Sequence, residues 1–108
     1  NGRTVGQSMT SISQELWEDI VAERGPQCEM CHWNLGTELH HCIVKRRKGC
    51  PDRDVAENLM LLCRTCHSDG YVNSHQCAVG FWGRQVERGY KMQEWYDSLG
   101  LKTKEMFE

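Results

Sequence analysis

The chain has 108 residues, 39% of them hydrophobic, and a net charge of −2. That length accommodates one domain whose apolar core alone would be marginal. No apolar run approaches membrane-spanning length, which excludes a transmembrane helix, and no secretory leader is visible. The slightly acidic balance counts mildly against a nucleic-acid binder, yet Lys45-Arg46-Arg47-Lys48 forms a solid basic block. Seven cysteines are an odd number. That fits poorly with a fully paired disulfide framework and favours a reducing, cytoplasmic setting.

In chain order, residues 1–8 read as a cloning remnant or flexible N-terminus, with Met9 a candidate native start, and 9–108 as one domain. Residues 11–24 predict a helix. Ser11 and Gln14 form a capping box, Ile12, Leu16, Trp17, Ile20 and Val21 share one face, and Gly25-Pro26 ends it. Its role is packing. Cys28-Glu29-Met30-Cys31 is a first metal knuckle, and Asn34-Leu35-Gly36 a turn. Leu39–Val44 has the composition of a strand, and 45–57 is a polar loop with Gly49 and Pro51. Asn58–Leu62 suits a second, antiparallel strand, after which Cys63-Arg64-Thr65-Cys66-His67 opens a short helix that Ser68-Asp69-Gly70 cannot extend. The tail from Gln76 to Leu99 is helical with breaks at Gly89 and Gly100. Phe81, Trp82, Val86, Tyr90, Trp95 and Tyr96 supply core rather than a base-stacking platform. Arg84 and Arg88 share one helical face that could follow a phosphate backbone, a weak signal by itself.

Two Cys-x-x-Cys knuckles aim four thiolates, Cys28, Cys31, Cys63 and Cys66, at one point, the pattern of a tetrahedral structural zinc. A redox dithiol is the competing reading, and the chain lacks the βαβ pattern that would accompany one. Cys42, Cys50 and Cys77 are left as free thiols, and His32 as a surface residue beside the knuckle. A structural zinc needs neither His40-His41 nor Asn58 nor His67. Adjacent strand residues point to opposite faces, so one of His40 and His41 can face a metal while the other works elsewhere. An imidazole outside the metal shell is a natural general base near neutral pH. A Lewis-acid cation beside a general base is an arrangement that hydrolyses phosphodiesters.

With Cys28-x-x-Cys31, His40-His41, Arg47-Lys48-Gly49, Asn58-Leu59 and Leu62-Cys63-x-x-Cys66-His67 in register, the interval 28–67 resembles the HNH endonucleases. These are the ββα-metal nucleases, whose four-cysteine subclass carries a zinc as a structural clamp; size and family together lead us to expect a phage or bacterial source. The resemblance implies an α+β, zinc-stabilised, treble-clef-like ββα-metal core over 28–75, with flanking helices and a C-terminal extension over 76–108. It implies His40 and His67 as ligands of a catalytic Mg²⁺ or Mn²⁺, with other divalent cations as substitutes, and His41 as general base. Asn58 is implied to tie the long loop and keep the base oriented. The implied activity is hydrolysis of DNA, with a double-stranded substrate expected, leaving 5′-phosphate and 3′-hydroxyl ends. Short flanks imply low sequence specificity or a protein partner that supplies targeting. Lys45, Arg46, Arg47 and Lys48 are implied phosphate contacts. Tyr71 stands where many members carry a further histidine, so the cation would rest on two imidazoles and water. The alternative is a non-catalytic zinc module, a degenerate domain kept for binding nucleic acid or protein.

Overall fold

The structure, a computed structural model, describes residues 12–100. Residues 1–8, Met9, Ser11 and the end of the expected C-terminal extension, 101–108, lie outside the described residues. Helix α1 spans Gln14–Arg24, and its cap is Ser13, whose Oγ accepts from the Leu16 N–H at 3.1 Å. Gln14 is therefore the first helical residue and sits too early to be the glutamine of a capping box. Ile20 is buried, with Leu16, Trp17 and Val21 packed around it. Gly25, at φ 88° and ψ 168°, ends the helix in a positive-φ conformation that favours glycine.

Strand β1, Glu38–His41, pairs antiparallel with β2, Leu59–Leu62, in the register Glu38↔Leu62 to His41↔Leu59. Directly opposed residues share a face. His40 and Glu38 therefore lie on the side of Met60 and Leu62, while His41 and Leu39 lie on the side of Leu59 and Leu61. Both sides are covered. Met60 and Leu62 join Val72, Phe81, Met92 and Tyr96 in one core, and Leu59 and Leu61 join Ile12 and Ile20 in another. A strand buried on both faces reads as a continuous apolar run, which is why Leu-Met-Leu-Leu shows no alternation. Gly36 is held tight against this strand, because a Cβ there would lie 2.3 Å from Leu61 Cγ.

The first strand is shorter than its composition predicts, 38–41 against 39–44. The N–H groups of Ile43 and Val44 donate to Asn58 Oδ1 instead of continuing a ladder. Helix α2 covers Arg64–His67, α3 His75–Arg88 and α4 Met92–Ser98. Between α2 and α3 a 3-10 turn, Gly70–Asn73, sends Val72 into the core and leaves Tyr71 exposed.

A buried ionic hub joins these pieces. Glu29, 4% exposed, accepts from Arg24 (2.8 Å), Arg88 (2.7 Å) and the Leu61 N–H (2.7 Å). Arg24 also donates to the carbonyls of Leu59 (2.6 Å) and Ala56 (2.9 Å) and lies over the Phe81 and Tyr90 rings. Burial opposes ionisation of Glu29, but Arg24, the Leu61 amide and Arg88 outweigh it and hold the carboxyl below its ordinary range. Removing one member strands the others' charge in a dry setting. Glu29→Ala is expected to lower the folding stability of the zinc-loaded protein by about 3–5 kcal/mol, read from urea midpoints. A loss under about 1 kcal/mol, the size of an exposed ion pair, would show the hub to be superficial.

Candidate active site and metal centre

The Sγ atoms of Cys28, Cys31, Cys63 and Cys66 all lie within 4.8 Å of one another, with Cys31 and Cys63 4.0 Å apart. A zinc tetrahedron with bonds of about 2.3 Å has sulfur edges of roughly 3.8 Å, so the four thiols fit that ion. Each knuckle points N–H groups at its sulfurs. Met30 and Cys31 donate to Cys28 Sγ, Trp33 and Asn34 to Cys31 Sγ, and Cys66 to Cys63 Sγ. The Asn34 side chain also donates to Cys63 Sγ at 3.5 Å and so spans the two knuckles. The Cys66 amide and the Asn34 side chain pull the Cys63 thiol down to about 6, whereas burial pushes Cys66 up to about 12. These groups favour the thiolate at Cys63, and a bound dication would favour it at all four cysteines. His32 is exposed, carries the left-handed turn of the knuckle (φ 57°), and donates its N–H to the Cys28 carbonyl at 2.9 Å.

On the sheet face shared with Met60, the rings of His40 and His67 meet edge-on with centroids 5.1 Å apart. One histidine comes from β1 and the other from the last residue of α2, the two elements whose crossing defines a ββα unit. Each ring has one nitrogen committed to an oxygen acceptor. His40 Nε2 lies 2.9 Å from the Val72 carbonyl, and His67 Nδ1 lies 2.5 Å from Glu38 Oε1. These acceptors fix the N–H on those nitrogens, leaving His40 Nδ1 and His67 Nε2 as the lone-pair atoms of the neutral rings. Burial holds the His40 pKa below its ordinary value, against the Val72 carbonyl, and the neighbouring His67 and His41 add to that effect. A neutral His40 is the form a metal needs.

His41 belongs to the opposite sheet face, and its Nε2 lies 2.7 Å from Asp54 Oδ1. Asn58 is fully buried and saturated. Its Oδ1 accepts from Ile43 and Val44, and its Nδ2 donates to the carbonyls of Val44 and Arg53, both at 2.9 Å. Arg53 is itself buried and donates to the Lys45 carbonyl at 3.0 Å. Asn58 thus ties both ends of the 42–57 loop, and its side-chain hydrogen bonds go to backbone groups rather than to an imidazole.

As Ser68-Asp69-Gly70 predicts, α2 stops at His67, and Asp69 Oδ1 accepts from the Tyr71 N–H and turns the chain away. One expectation changes. Arg88 is spent on Glu29 and Arg84 lies 3.6 Å from it, so the pair is structural and not a track for phosphates. Cys42 and Cys77 are free but not independent, being buried within hydrogen-bonding reach of each other, and burial raises both thiols. Lys45, Arg46, Arg47 and Lys48 are all exposed. Glu38, Asp54 and Arg53 escaped the sequence reading. Glu38 was accessible to it, since it stands two residues before His40 and so on the same strand face.

A four-thiolate knuckle pair clamped to a β-hairpin and a helix that carry paired imidazoles is the frame of a ββα-metal domain of the nuclease type. Residues 28–70 match the family model described as HNH endonuclease, so this segment is similar to that family. No curated protein and no solved structure matches the chain.

Proposed function

We propose that this protein is a metal-dependent DNA endonuclease acting on double-stranded substrate, with His41 as general base and His40 and His67 as ligands of the catalytic cation. The supporting observation is that all three imidazoles have one nitrogen anchored on an oxygen acceptor, which leaves each a defined basic nitrogen for work. A divalent cation such as Mg²⁺ or Mn²⁺ would supply Lewis-acid stabilisation of the phosphate oxygens and the departing 3′ oxygen. The chain's own part is to hold His40 neutral, to fix His67 through Glu38, and to take the proton of the attacking water on His41. The products would carry 5′-phosphate and 3′-hydroxyl ends.

One observation favours a second reading, a degenerate module that binds without cutting. Among the described residues the only group of three or more side chains able to close on an ion is the cysteine cluster. Incubating supercoiled plasmid with Mg²⁺, Mn²⁺, Ni²⁺ or EDTA separates the two. Nicking or linearisation that EDTA abolishes supports the nuclease, and intact plasmid under all four conditions supports the module.

The exposed block Lys45–Lys48 would contribute affinity through phosphates, without sequence readout. Replacing Arg46 and Arg47 by alanine together is expected to weaken binding to every duplex alike. The slope of log K against log salt should flatten by about one unit per lost contact. An unchanged salt slope in a fluorescence titration would reduce the block to a solvated loop.

A further inference from the structure

The loop 42–57 connects the two strands, and its internal bonds converge on a single carboxylate. Asn58 Nδ2 holds the Arg53 carbonyl, Arg53 holds the Lys45 carbonyl, and the Asp54 N–H donates to the Pro51 carbonyl at 2.9 Å. The residue placed by these restraints is Asp54, whose Oδ1 meets His41 Nε2 at 2.7 Å with both side chains only 11% exposed. We propose that Asp54 is a positioning residue for His41, forming with it a carboxylate–imidazole dyad in which Asp54 fixes the ring and Nδ1 receives the proton. The inference rests on the reading of His41 as general base.

A carboxylate oxygen only accepts, so the 2.7 Å contact places a ring proton on Nε2, and in the neutral ring Nδ1 is then the lone-pair atom. In the hydrolytic step the water oxygen bonds to phosphorus as the P–O3′ bond breaks. The water's proton passes to His41 Nδ1, and solvent protonates the 3′ oxygen. The imidazolium so formed has an anion already in contact with it, and no group has to move to meet the new charge. The same layout gives Asn58 its part: it holds the Arg53 carbonyl, one residue before Asp54, and so bears on His41 without touching the ring.

The test uses the zinc-loaded full chain with Asp54→Ala and Asp54→Asn, read by nitrogen-edited NMR of the histidine rings and by plasmid cleavage. At a pH of about 8, where an ordinary imidazole is neutral, wild type is expected to show a downfield His41 Nε2–H proton protected from solvent exchange. Asp54→Asn keeps an oxygen acceptor and should retain that proton at a less downfield position; Asp54→Ala should lose it. Cleavage is expected to fall about 10- to 100-fold in Asp54→Ala and less in Asp54→Asn, with duplex affinity and metal dependence unchanged. A ring proton on Nδ1 in wild type, or an Nε2–H signal that survives Asp54→Ala, overturns the dyad. Loss of the signal with cleavage still at the wild-type rate removes the positioning role while leaving the nuclease standing. A wild type that shows the signal but cleaves nothing leaves the hydrogen bond in place, and with no general base to position the proposal falls together with the nuclease reading.

Discussion

Cys63→Ala protein is expected to be unfolded and free of zinc. Cys63 is more than one ligand of four. Its sulfur accepts from the Asn34 side chain across the two knuckles, and it caps the first turn of α2 through the Cys66 N–H. The variant loses a metal bond, the cap and the tie between knuckles together. Zinc binding contributes roughly 10 kcal/mol or more of folding free energy in small zinc-finger frames, which matches or exceeds the whole stability of an ordinary domain. Circular dichroism and zinc content measured on the purified variant check this. A Cys63→Ala protein with native ellipticity and a full zinc complement would show that the cluster is not the clamp.

His41→Ala is expected to fail in a different way from His40→Ala and His67→Ala. His41 faces Asp54 and belongs to the sheet face opposite the His40–His67 pair. Its removal should leave fold, zinc, catalytic cation and duplex binding intact while cleavage drops by about 10²–10⁴, the usual worth of a positioned base. On the proposed assignment, loss of His40 or His67 would remove one of two protein ligands of the cation, so those variants should regain part of their rate as the cation concentration rises. Calorimetric titration of Mn²⁺ into all three variants reads the difference directly. Near wild-type cleavage by His41→Ala would remove it from the base position, and equal cation affinities in all three would remove the ligands from theirs.

The cysteine spacing and the His-His, Asn and terminal His register were legible because they are local rules. A knuckle or a strand alternation is written within a few consecutive residues, and the zinc cluster and the two faces of β1 appear where those rules place them. What escaped was set by partners distant in sequence. Ile43 and Val44 look like strand by composition, and only the buried amide of Asn58 takes their N–H groups out of the ladder. Arg88 looks like a free cation on a helix face until Glu29, 59 residues earlier, turns out to be buried beneath it. Asp54 is one acid among several in a polar loop, and nothing in its neighbours' identities announces that the loop closes onto His41. The end of α2 at His67 falls between these cases: Ser68-Asp69-Gly70 predicts a short helix, yet the outward turn of Tyr71 needs the Asp69 cap to be seen.

The position of Glu29 inside the first knuckle has a consequence for how the molecule comes apart. It sits between Cys28 and Met30, and its carboxylate gathers α1, β2 and α3. Opening α3 would expose a charged cluster one peptide bond away from a zinc ligand, and releasing the metal would slacken the anchor beneath three elements at once. Hydrogen exchange should therefore report a single cooperative unit. Amides of α1, β2 and α3 should share one opening free energy, and a chelator should lower it for all of them together, without first fraying the C-terminal helices.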